Sequence, residues 1–177
     1  AFASGPGQAA QSSGQAATLA DSLLRYGKTD PKVLAYDQVA RWKSPASDPK
    51  RIVAGPADRI YVCAGKQVTR CSPEGTTELS LTLTSPTFCA AVADDGTLFV
   101  GLRDHVEVFD SRGQRRARWD AVGKKAWLTA LAVGANDVFA ADSGNRAILR
   151  YDRAGKLTAR LGEKDNERNV PGFVVPS

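Results

Sequence analysis

The chain repeats itself. Val106-Glu107-Val108-Phe109-Asp110-Ser111-Arg112-Gly113 aligns with Ile148-Leu149-Arg150-Tyr151-Asp152-Arg153-Ala154-Gly155, and a more divergent copy, Val68-Thr69-Arg70-Cys71-Ser72-Pro73-Glu74-Gly75, precedes both. The closing glycines recur at intervals of 38 and 42 residues. Upstream of each copy stands a second shared piece: Arg59-Ile60-Tyr61-Val62, Thr97-Leu98-Phe99-Val100 and Asp137-Val138-Phe139-Ala140. Turn residues introduce these pieces (Ala57-Asp58, Asp94-Asp95-Gly96, Ala135-Asn136), and small apolar runs come before the turns, at 51–54, 89–93 and 129–133. Each unit therefore reads as four short strands in about 40 residues, the period and content of a propeller blade. The 3.6-residue periodicity that a helical repeat would show is absent.

The third unit has the clearest turn chemistry. In Asp142-Ser143-Gly144-Asn145 the Asp and Asn side chains can bond nearby backbone, and Gly and Asn tolerate positive φ. A strand over 146–151, a turn over 152–155 and an outgoing strand over 156–161 follow. Together with Arg146, this turn resembles the Asp-x-Gly-Asn-x-Arg type turn of NHL repeats. The resemblance spans roughly residues 33–177, although Ala64-Gly65-Lys66-Gln67 and Leu102-Arg103-Asp104-His105 lack the Asp and Asn at the matching turns. Pro171-Gly172-Phe173-Val174-Val175-Pro176-Ser177 is similar to the opening of a further blade in bacterial NHL-repeat proteins of the exported type.

The expected architecture is all-β: a partial β-propeller of three four-stranded antiparallel blades, at about 51–85, 86–125 and 126–164, with the start of another behind them. Three blades are about half of the ring that such a resemblance implies, about six blades. The rest of the propeller would come from a longer chain or from a second copy. Exposed blade flanks would favour association.

Residues 1–17, rich in Ala, Ser, Gly and Gln, lack the apolar groups to offset the cost of ordering and read as a flexible tail, within a non-propeller region over 1–30. A short helix over 18–27 would set Leu19, Leu23 and Tyr26 on one face, with Gly27 as its stop. Within 31–50, Lys32 to Trp42 reads as a lead-in strand that could complete a last blade from outside, and Ser44 to Lys50 as a connector. Hydrophobic content of 42% and charged content of 24% are ordinary for a globular chain. No apolar run approaches the roughly 18 residues of a membrane span. The start at Ala1, taken with the exported-type resemblance, implies a removed signal peptide and a periplasmic or secreted protein.

Three cysteines are an odd number without metal-type spacing. Cys63 and Cys89 fall in expected inner strands, where buried free thiols are common. A Cys63–Cys71 bridge stays open, but a Gly65-Lys66 turn would set residue 63 opposite 68 rather than 71.

Residues able to carry chemistry are sparse. His105 is the only histidine, and a histidine metal site needs further ligands. Asp94, Asp95, Asp104, Asp110, Asp137, Asp142 and Asp152 fall mostly at repeat-equivalent turns, which predicts capping of backbone N–H groups. Asn136 and Asp142 could contribute to a channel calcium site, but three units do not assemble a full ligand set. The same holds for a zinc site of the peptide-amidating-lyase kind known on NHL-type propellers. Cofactors are therefore none, with calcium or zinc open for a completed ring.

Arg112, Arg115, Arg116, Arg118, Lys124 and Lys125 form the densest basic run, and net charge is +5. This suits RNA or another polyanion, which some NHL propellers bind, yet the outermost strand of a blade also carries cations to block edge pairing. The edge-guard reading is preferred, because Trp119 and Trp127 look like packing between blades rather than bases' stacking partners. No phosphate loop or nucleophile elbow occurs. The sequence thus leans away from an enzyme, towards a non-catalytic binding or scaffold module for a protein, peptide or glycan. Its expected contacts are loop residues at one face: Arg103, Asp104, His105, Asp142, Asn145 and Arg146.

Overall fold

The protein is seen here as a computed structural model that describes residues 40–173. The expected tail, the short helix and most of the lead-in strand lie outside the described residues, as do 174–177. The chain divides at Arg41/Trp42, and every described strand belongs to the unit from Trp42 onward. Ala40 to Trp42, expected at the end of the lead-in strand, are not in a strand.

Among the described residues twelve strands follow one another: β1 (Arg51–Ala54), β2 (Ile60–Ala64), β3 (Gln67–Cys71), β4 (Thr77–Thr82), β5 (Cys89–Val92), β6 (Leu98–Gly101), β7 (Val106–Phe109), β8 (Arg115–Arg118), β9 (Leu128–Val133), β10 (Asp137–Asp142), β11 (Ala147–Asp152) and β12 (Leu157–Leu161). They form three four-stranded sheets, β1–β4, β5–β8 and β9–β12, each a simple antiparallel meander. The Gly65-Lys66 turn sets Cys63 opposite Val68, as its two-residue length dictates.

The repeat survives in fine structure. Pairing between the third and fourth strands slips by one residue at Arg70/Cys71, Val108/Phe109 and Arg150/Tyr151, the same place in each sheet. The turn just beyond is capped alike. Asp110 Oδ1 accepts the N–H groups of Arg112 (3.0 Å) and Gln114 (2.8 Å), and Asp152 Oδ1 those of Ala154 (3.0 Å) and Lys156 (2.9 Å). Ser72 does the same work more weakly, its Oγ accepting from Thr76 at 3.3 Å. Gly155 closes its turn at φ +95 and lies flat against the Trp119 ring. Gly75 meets Trp42 in the same way.

The middle sheet is buried on both sides. Leu98, Val100 and Phe109 join Tyr61, Leu81 and Leu83 of the first sheet, while Phe99, Val106 and Val108 join Leu149 and Tyr151 of the third. Double burial explains why β6 reads as a continuous apolar run rather than an alternating one. Each such side chain contributes about 1.5–3 kcal/mol on burial. Trp119 is the inter-sheet wedge the sequence suggests, with Phe99 at 5.7 Å and Tyr151 at 4.8 Å between ring centroids. The first sheet leaves Ile52 exposed on its open side.

Candidate binding face

In an antiparallel meander, the turn between second and third strands emerges at the same end as the connector leading to the next sheet. Backbone hydrogen bonds stitch these segments into one face. The Thr87 N–H donates to Gly65 O (2.8 Å), Phe88 N–H to Gly101 O (2.9 Å), Val122 N–H to Asp104 O (2.8 Å) and Leu128 N–H to Arg103 O (2.9 Å). Ser143 completes the set by donating its N–H to Trp127 O at 3.0 Å.

Trp127 sits at the centre of this network and is 47% exposed. Its ring meets Phe88 edge-on at 5.8 Å and 77°, and the Arg103 guanidinium lies 5.6 Å from its centroid. Arg51 Nε donates to Phe88 O at 3.1 Å, so a second arginine flanks the aromatic pair. Trp127 is therefore not mainly inter-blade packing, as its sequence position suggests. Its backbone is pinned to the Asp142–Ser143 turn, and about half of the ring faces solvent. An exposed aromatic held rigidly beside cations offers large contact area at low ordering cost.

The loop residues expected from sequence divide in two. Arg103 and Arg146 present their side chains to solvent, and Asp104 is partly exposed. His105 is buried at 7% exposure, its Nδ1 2.6 Å from Asp104 Oδ1. Its proximity holds the Asp104 carboxyl below the usual range. Asp142 is 1% exposed, and its oxygens are taken: Oδ1 by the N–H groups of Trp127 (2.9 Å) and Asn145 (3.2 Å), Oδ2 by Asn145 Nδ2 (2.6 Å). Asp142 builds its turn rather than projecting from it, because a side chain that caps backbone is drawn inward, and His105 is turned in beside the Asp104 carboxylate. Trp127, Phe88 and Arg51 went unread as surface features. No local signal distinguishes a connector aromatic that faces outward from one that wedges.

The basic run does not form one patch. Arg115 donates to Glu107 Oε1 at 3.1 Å and Arg116 Nε to Asp110 Oδ2 at 2.9 Å, both from β8. Lys124 and Lys125 lie in the connector next to Trp127 instead, exposed like Arg112 and Arg118. Cys63, Cys71 and Cys89 are free and buried. Burial pushes all three thiols up, Cys89 to about 12. Among the described residues, no three His, Cys, Asp or Glu side chains converge as metal ligands.

Three consecutive four-stranded antiparallel sheets, packed face to face around a shared middle one, make this chain a partial β-propeller. The sequence matches no family model and no curated protein. Solved structures do resemble it. A streptogramin B lyase superposes with a TM-score of 0.59 at 16% identity, over 71% of this chain and 44% of that one. Virginiamycin B lyase from Staphylococcus aureus gives 0.57 at 15% identity, over 66% and 43%. A protein of unknown function from Bacteroides caccae gives 0.51 at 11%, over 64% and 45%. At such identities the likeness is one of fold, and the chain spans less than half the length of these propellers.

Proposed function

We propose that this chain is part of an NHL-type propeller whose Trp127 face holds a protein, peptide or glycan partner without catalysing a reaction, in the periplasm or outside the cell. One observation carries the reading: a half-exposed Trp127, braced by Phe88 and Arg103, with its backbone N–H and C=O held by Asp142 and Ser143 of one turn. Rigid amphipathic aromatics with an adjoining arginine are the usual energetic centres of binding surfaces. Screening the protein against peptide and glycan arrays, with Trp127→Ala and Arg103→Ala alongside, tests it. The expected result is at least one ligand whose binding both substitutions weaken by about tenfold or more. A ligand held equally well by Trp127→Ala overturns the reading.

A second reading has the lyases' likeness behind it, in which the completed ring is a metal-dependent propeller hydrolase or lyase. Metal analysis of the complete or assembled protein separates the two. Stoichiometric calcium or zinc with turnover would favour the enzyme. Polyanion binding through the basic run is the third reading. Its cations are split between the rim and the face, so heparin retention unchanged both by Arg115→Glu with Arg116→Glu and by Lys124→Glu with Lys125→Glu would remove it.

A further inference from the structure

The outer edge of the first sheet differs from that of the second. β8 carries three arginines in four residues, which guard a free strand edge, whereas β4 reads Thr-Glu-Leu-Ser-Leu-Thr without Lys, Arg or Pro. Among the described residues, no strand pairs with the far side of β4. Beside that edge runs a cleft of about 320 Å³, bounded by Ser80 to Thr84 on one side and by Glu107, Phe109, Gly113 and Arg115 on the other.

Glu107 is 2% exposed, yet it takes the strand position held by Thr69 in β3 and Leu149 in β11, so the fold does not demand a charge there. Arg115 donates to its Oε1. His105 Nε2, buried and without a partner, faces the same oxygen at 4.0 Å, too far for a hydrogen bond. With the His105 proton on Nδ1, donated to Asp104, both Nε2 and Oε1 are acceptors. One group with two or more donor hydrogens, an ammonium among them, can serve both.

We infer that the β4 edge and its cleft form a docking site for an extended peptide strand bearing a lysine. Its backbone pairs with β4, and alternate side chains turn towards the cleft. The lysine ammonium, with three donors, serves Glu107 and His105 together.

The test uses the labelled protein and the probe acetyl-Thr-Val-Thr-Lys-Thr-Val-amide, followed by NMR at the Ser80 and Thr82 amides and at the ring nitrogens of His105, the only histidine. All three sites should shift, a peptide N-methylated at alternate residues should fail, and Glu107→Gln or a norleucine in place of the lysine should weaken binding by about tenfold or more. Unmoved Ser80 and Thr82 amides at millimolar probe overturn the proposal, as does equal binding of the N-methylated or the norleucine peptide. The readout sits on β4, so failure here leaves the Trp127 reading standing, and the reverse also holds.

Discussion

Asp142 Oδ1 accepts the backbone N–H of Trp127 at 2.9 Å, across 15 residues of sequence. A carboxylate at the end of β10 thereby fixes the connector that enters the same sheet at β9, and with it the orientation of the exposed ring. The same oxygen and its neighbour also hold Asn145, so one buried side chain closes a turn and sets the face.

Asp142→Ala leaves three donors without that partner inside a nearly closed site. The expected cost is about 1–3 kcal/mol of stability, with Trp127 emission shifted towards that of free tryptophan. Urea unfolding and tryptophan fluorescence measure both. Wild-type stability in the variant would show the cap to be dispensable.

Gly155→Ala introduces two faults, a left-handed φ and a methyl group inside the Trp119 ring. Gly65 also has a positive φ, +54, but no atom within 4 Å of where a Cβ would stand. Gly65→Ala should therefore cost about 1 kcal/mol, and Gly155→Ala clearly more, about 2–4 kcal/mol, because backbone strain and overpacking add. Equal midpoints for the two variants would contradict this packing.

Asp110 and Asp137 titrate below the ordinary carboxylate range, Asp110 chiefly through the Gln114 N–H and Asp137 through the Arg150 guanidinium. A depressed folded pKa means stabilisation present above the unfolded value, near 3.9, and lost as pH falls through the folded value. The urea midpoint should hold down to about pH 5 and fall below about pH 4. Asp110→Asn with Asp137→Asn should flatten that acid limb and lower the midpoint above it. An unchanged slope would assign acid loss to other carboxylates.

Cys89, raised to about 12 by burial, and Cys63 and Cys71, which burial also raises, should resist a thiol reagent in the folded protein at pH 8. Denaturant should release three reactive thiols. Rapid labelling of any of them in native buffer would place it at the surface. A raised thiol pKa also stabilises the fold below the unfolded value of about 8.5, and that contribution is lost as pH climbs beyond it.

Strand order, the sheet count and the capped Asp turns at 110 and 152 were legible in the residues, because short-range alternation and Asx-turn chemistry act within a few positions of the chain. So was the wedge role of Trp119. Trp127 was not legible, nor was the inward turn of His105 and Asp142, since each depends on partners in another sheet or connector. Glu107 shows the limit most clearly. Its strand position reads as interior in β11 and as an ordinary Thr in β3, and only the packing of the first sheet against the second makes it a buried carboxylate beside an open edge. Periodicity specifies which residues form a strand; which side of it meets a neighbour, and what is left facing the gap, is decided by contacts between sheets.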